Sequence, residues 1–302
     1  MSTARLQPPA ARQGPGPLAQ PLIDAIDLAV SRLVARTLPG DRRAVGVGPG
    51  TELAQLRPYE IGDDVRHVDP AATARTGQPH VRLHVPDRAL TTWIVIDVSP
   101  SMAFGTARRL KADVAEGVAL VFGRLGVRRA GSVGLVAFGG ELPRLLPPRG
   151  AKPGLVAIRR TLAEGVAPDG QHRADGLADA LRRVARMARR PGLVVVISDF
   201  RDQHGWQRPM GGLRIRHSVM AVEILDPREA EVPAVGHLAL VDPETGARVE
   251  VDTSRSRVRR RFAELERERR GVVARELRRL RIEHAELSTD EDWLPALGRR
   301  LK

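Results

Sequence analysis

Apolar residues recur along this chain at two different spacings. From Thr91 onward, strand-length apolar runs alternate with stripes at helical spacing. Trp93–Ile96, Val133–Phe138, Leu193–Ile197 and Ser218–Leu225 read as buried strands. Leu110, Val114, Val118, Val121 and Leu125 line one helix face, and Leu177, Leu181, Val184 and Ala188 line another. Residues 151–164 read as a further helix, and Leu142–Leu146 as a short edge strand before Pro147-Pro148. His237–Val241 and Arg248–Val251 flank Asp242-Pro243-Glu244-Thr245-Gly246, the pattern of a β-hairpin. A long helix follows, with Val258, Phe262, Leu265, Val272, Leu277 and Leu280 expected inward. Ile282–Leu287 reads as a last strand and Asp290–Leu301 as a last helix. This alternation predicts an α/β fold: a doubly wound, mostly parallel sheet with helices on both faces.

The chain before Thr91 is patterned differently. Residues 1–20, rich in Pro, Gly, Ala and Gln, are expected to form a flexible tail. Leu22, Ile23, Ile26, Leu28, Leu33 and Val34 then recur at helical spacing up to Pro39-Gly40. The charge-dense segment Arg57–Asp69 follows, and the alternation of Val81, Leu83 and Val85 with Arg82 and His84 is that of a half-buried strand. The expected organisation is therefore a tail (1–20), an N-terminal helix with the Arg57–Asp69 segment (21–90), and an α/β domain (91–302). A hairpin at about 236–252 is inserted in that domain.

Composition narrows the chemistry. The 302 residues are 42% hydrophobic and 28% charged, which suits a folded core, but only 3% are aromatic, so aliphatic side chains must fill it. The absence of cysteine excludes disulfides, thiolate metal sites and cysteine catalysis. No apolar stretch approaches the roughly 20 residues that span a bilayer, and the N-terminus lacks the apolar run of a signal peptide. A cytoplasmic location is expected. The net charge of +13 comes almost wholly from arginine. Arginine spread over solvated helix faces accounts for it, with nucleic-acid binding as the competing explanation.

In doubly wound sheets, ligands bind beyond the carboxyl ends of the strands. Strand Trp93–Ile96 runs into Asp97-Val98-Ser99-Pro100-Ser101, and Leu193–Ile197 runs into Ser198-Asp199-Phe200. Asp97, Ser99 and Ser101, at alternate positions, let one tight loop point three oxygens at a common centre, and Asp199 adds a second carboxylate. Oxygen donors suit hard divalent cations, of which Mg²⁺ takes only one or two carboxylates and keeps several waters. The bland alternative is that these are ordinary turn and capping residues.

The arrangement resembles the metal-ion-dependent adhesion site of von Willebrand factor A and integrin inserted domains. That signature is Asp-x-Ser-x-Ser, a Thr on a later loop, and an Asp after the fourth strand. Asp97, Ser99, Ser101 and Asp199 match it, and the resemblance implies that fold's six-stranded sheet. Asp175 stands where the Thr is expected, either as a third ligand or as a helix N-cap. A closer resemblance is to the bacterial "domain of unknown function 58" family. It is carried by Arg57–Asp69 with Ala74-Arg75, by Ile197–Phe200, Asp226–Glu229 and Asp242–Gly246, and by Leu287-Ser288-Thr289. Pro70 replaces the Trp usual in that family. The resemblance implies a von Willebrand A-like domain partnered with a MoxR-type AAA+ ATPase as a chaperone-like pair.

The expected function is thus a non-catalytic, Mg²⁺-dependent protein-interaction module, with Asp97, Ser99, Ser101, Asp175 and Asp199 as metal ligands. Its expected partner is a MoxR-type AAA+ ATPase with its client, and no nucleic acid. A Mg²⁺-dependent phosphohydrolase is the enzymatic alternative. A strand-end Asp with Mg²⁺ resembles haloacid-dehalogenase-type phosphatases, which usually have a second Asp two residues after the first for acid–base work, a place taken here by Ser99. The 57–75 segment reads as a salt-bridged structural lid, with Asp63, Arg66, Asp69 and Arg75 spaced to pair with one another or to cover the sheet edge. No phosphate-binding Gly-x-x-x-x-Gly-Lys-(Ser/Thr) loop is present.

Overall fold

A computed structural model describes residues 12–37, 52–60, 65, 68–85, 90–128, 131–170, 176–201 and 205–301. Helix α1 (Gln20–Thr37) buries Ile23, Ile26, Val30, Leu33 and Val34, whereas Leu28, expected inward, is exposed. Strand β1 (Glu52–Pro58) pairs antiparallel with β2 (His80–Val85) across helix α2 (Pro70–Thr76). Asp69 caps α2, accepting a 2.8 Å bond from the Ala72 amide, with Pro70 at the first helical turn where its missing N–H costs nothing. Of the lid residues, Asp69 serves as this cap. Asp63 and Arg66 lie outside the described residues, as does Asp175.

The main sheet begins with β3 (Thr91–Asp97). It continues through α3 (Lys111–Val127), β4 (Ser132–Phe138), β5 (Arg144–Gly150), α4 (Ala151–Ala163), α5 (Gly176–Met187) and β6 (Gly192–Ser198). Then come α6 (Gln207–Arg214), β7 (Ser218–Leu225), the short α7 (Pro227–Ala230), and the hairpin of β8 (His237–Val241) and β9 (Arg248–Asp252). Helix α8 (Ser256–Arg279), β10 (Glu283–Ser288) and α9 (Trp293–Arg300) complete the chain. The six strands run in the order β10-β7-β6-β3-β4-β5, all parallel except β5. This is the von Willebrand factor A-like arrangement expected above.

β5 includes Pro147 and Pro148, which were expected to end it; it is an edge strand, where a missing N–H leaves no ladder bond unmade. Alternate strand residues face two apolar layers. Ile94, Ile96, Met220 and Val222 meet α1, α3 and α9, while Trp93, Val95, Val194 and Val196 meet α5, α6 and α8. Helix α8 corrects the expected stripe: Leu265 and Val272 are exposed, and Glu266, Val273 and Leu277 are buried. Leu277 stays inward as expected, whereas Glu266 and Val273 take the buried places of Leu265 and Val272; Glu266 pairs there with Arg269 and Arg270, which apolar periodicity does not register.

Residues 12–18, expected within the tail, run along α3. The Gln13 and Gly14 amides donate to Asp113, and the Trp293 indole donates to the Pro15 carbonyl. Among the described residues, no helix is long and apolar enough to cross a membrane.

Candidate metal centre

The chain leaves β3, the middle of the sheet, for β4 on one side and later returns to β6 on the other. Strand order therefore reverses between β3 and β6, and in sheets of this kind the ligand crevice lies at the carboxyl ends of such strands. Asp97 ends β3 and, in the parallel register, lies beside Ser198 at the end of β6. The Ser198 hydroxyl donates to Asp97 Oδ2 at 2.5 Å, and the Ser99 amide donates to Oδ1 at 2.9 Å. A 3₁₀ turn at Pro100–Ala103 follows, and brings the Ser99 and Ser101 hydroxyls to 3.1 Å of each other. Asp97, Ser99, Ser101 and Asp199 are all buried.

Gly139, just after β4, makes room for this loop. Its φ is +86°, and a Cβ there would stand 2.7 Å from Ser99 Cβ and 2.9 Å from Asp97 Oδ1. Only glycine meets both the backbone and the space requirement.

The two carboxylates have different surroundings. Asp199 Oδ2 accepts a 2.6 Å bond from the Lys111 ammonium, and Oδ1 accepts from the Arg201 amide at 3.1 Å. Burial opposes ionisation of Asp199, but Lys111 and Arg201 outweigh it and hold the carboxyl below its ordinary range. Among the described residues, no Lys, Arg or His forms an ion pair with Asp97. Burial and the neighbouring Asp199 charge push the Asp97 carboxyl up to about 7, against the hydrogen bonds from Ser198 and Ser99.

Lys111 is fully buried, and also donates to Glu229 Oε1 at 2.5 Å. Burial disfavours its charge, yet Asp199 and Glu229 more than compensate, and its pKa is raised. Glu229 in turn accepts from the Asp226 amide in the cap of α7. From there the charges continue outward: Arg201 contacts Glu229 and Glu266, and Arg269 contacts Glu266 and Glu223. Phe200, at φ +52°, turns the chain so that its carbonyl and that of Asp199 accept from Arg269. Its ring packs edge-on to Trp206.

The hairpin reaches the crevice from outside. Glu244, in the turn between β8 and β9, accepts a 3.0 Å bond from the Ser101 amide through Oε1. The Pro243 carbonyl accepts from the Gly170 amide at 2.8 Å.

Four of the five expected ligands therefore converge: Asp97, Ser99, Ser101 and Asp199. The oxygen-only set fits a hard divalent cation, because such an ion would relieve the repulsion between two buried carboxylates. Sequence reasoning missed Lys111, Glu229 and Glu244. Lys111 carried a faint signal: it is one of three lysines in an arginine-rich chain, on the same face as Val114 and Val118. Another group, Glu223, His284 and Glu286, has potential ligand atoms within 4.8 Å of one another. It borders Arg269, whose guanidinium lies 3.7 Å from Glu223 Oε1 and already supplies positive charge.

Comparison with known sequences decides the family. The family described as "Protein of unknown function DUF58" matches residues 55–272. The chain belongs to the DUF58 family. One relative, "Uncharacterized protein Rv1480" of Mycobacterium tuberculosis (strain ATCC 25618 / H37Rv), is 37% identical over 274 residues, covering 91% of this DUF58 chain and 86% of the relative. A Mycobacterium avium protein, "Uncharacterized protein MAV169", is 40% identical over 126 residues, 42% of this chain and 74% of its own. Among solved structures, BatB from Bacteroides thetaiotaomicron is 13% identical with a TM-score of 0.44, over 70% of this chain and 96% of its own. The von Willebrand factor type A protein from Catenulispora acidiphila is 10% identical with a TM-score of 0.33, over 70% and 42% of the two chains.

Proposed function

We propose that this DUF58 protein is a non-catalytic, metal-dependent protein-interaction module. Asp97, Ser99, Ser101 and Asp199 would hold Mg²⁺ or another divalent cation, and a partner would bring an acidic side chain to it. One observation carries this reading: the Asp97 carboxyl is buried beside Asp199 without a cationic partner among the described residues. A fully desolvated carboxylate in that position costs several kcal/mol unless a cation meets it. The bound ion would supply a Lewis-acidic attachment point. The protein's own residues orient it: Ser198 and the Ser99 amide fix Asp97, and Lys111 fixes Asp199.

The partner in this reading is a MoxR-type AAA+ ATPase with its client, as the family resemblance implies. Pull-down of a MoxR-type ATPase by the full chain tests both parts. Capture in Mg²⁺, lost with EDTA and in Asp97→Ala, is expected. Capture indifferent to both manipulations would refute metal dependence, and no capture in Mg²⁺ would refute the choice of partner.

A further inference from the structure

The β8–β9 hairpin is exposed along most of its length, yet its turn is tied to the metal centre. At its base, the buried Thr253 hydroxyl donates to the Gly236 carbonyl and accepts from the Val235 amide. At its tip, Asp242 organises the turn: its side chain accepts from the Glu244 amide at 3.0 Å and the Thr245 hydroxyl at 2.6 Å. The turn then bonds twice to strand-end loops, through Pro243 to Gly170 and through Glu244 to Ser101. Glu244 is thus presented as a carboxylate to the backbone of a candidate ligand, 143 residues earlier in the chain. Its Oε2 is also withdrawn from solvent.

A carboxylate is the chemistry by which a partner would engage a cation at this site. We infer that Glu244 is the protein's own occupant of the place open to a partner's acidic side chain. The hairpin is then a gate: a partner binds by displacing Glu244, and the site is closed in the isolated chain. This inference rests on the metal-centre reading and adds its regulation. Glu244 lies in a turn outside the core, so its replacement leaves the apolar layers untouched.

Mn²⁺ alone serves as the probe, with the full chain as wild type, Asp97→Ala, Glu244→Ala and Glu244→Gln. Water-proton relaxation reads how many exchangeable waters the bound ion keeps. Asp97-dependent Mn²⁺ binding is expected in wild type, with higher relaxivity per bound ion in Glu244→Ala as water enters the vacated place. Acetate should then lower that relaxivity in Glu244→Ala and leave wild type unchanged. Glu244→Gln, which keeps an acceptor for the Ser101 amide but no charge, should respond to acetate as Glu244→Ala does. If Mn²⁺ binds through Asp97 but hydration and acetate response are the same in all Glu244 variants, the gate is refuted and the metal centre stands. If binding does not depend on Asp97, the metal centre falls, and the gate with it.

Discussion

The Lys111 ammonium at the start of α3 lies 2.6 Å from the Asp199 carboxylate at the end of β6, and both side chains are buried. The protein therefore carries a cation of its own on one side of the centre, shared with Glu229 at 2.5 Å. One carboxylate of the Asp97–Asp199 pair is neutralised internally, and the other has no ion pair among the described residues.

Removing that lysine should unbalance the interior. Lys111→Met leaves Asp199 and Glu229 buried without their shared partner, and breaking a buried pair this way costs about 3–5 kcal/mol. Chemical denaturation at neutral pH checks it. Because the Lys111 pKa is raised, its contribution is complete at neutral pH and is lost only as pH rises through that raised value. An unchanged denaturation midpoint would show that the pair contributes nothing.

Without a divalent ion, Asp97 should make the fold less stable as pH rises. Burial beside Asp199 pushes its carboxyl up to about 7 in the fold, against about 3.9 in an unfolded chain. Between those values the folded state binds more protons, so stability falls with increasing pH. Asp97→Asn in EDTA should therefore be more stable than wild type at pH 8, and the difference should shrink toward pH 4. Thermal melts across that range decide it.

Divalent ion should reverse this penalty. Mg²⁺ at a concentration 100 times its dissociation constant should stabilise the wild type by about 2.7 kcal/mol. Asp97→Ala should show no such gain. Equal thermal shifts in the two proteins would place the ion elsewhere.

Gly139→Ala should damage the centre from a neighbouring loop. A left-handed φ of +86° and a contact of 2.7 Å to Ser99 Cβ both oppose the added methyl. Strain of this kind costs about 1–3 kcal/mol. The expected result is a lower melting temperature together with weaker Mn²⁺ binding, measured by titration; an unchanged Mn²⁺ affinity would separate Gly139 from the site.

How far the site could be read in advance follows from chain separation. Asp97, Ser99 and Ser101 belong to one turn, so their convergence is local and the residue types announce it. Asp199 comes from another strand, yet buried strands in a parallel sheet end at a common edge, which makes it legible too. Lys111 meets Asp199 across 88 residues, Glu229 meets Lys111 across 118, and Glu244 meets Ser101 across 143. No periodicity encodes such meetings. The stripe of α8 failed for a related reason: Glu266 is buried by arginines from its own helix and from the loop after β6, and a polar residue that finds ionic partners inside breaks the apolar pattern.

The sequence by itself determined the layered α/β fold, the strand edge where chemistry gathers, and the oxygen donors of Asp97, Ser99, Ser101 and Asp199. Those follow from side-chain periodicity and from turns only a few residues long. The tertiary structure decided which carboxylate is already paired, where the buried lysine goes, and that a distant hairpin turn reaches the centre. Such choices depend on which groups burial forces to share one dry space, and that is settled only when remote segments pack together.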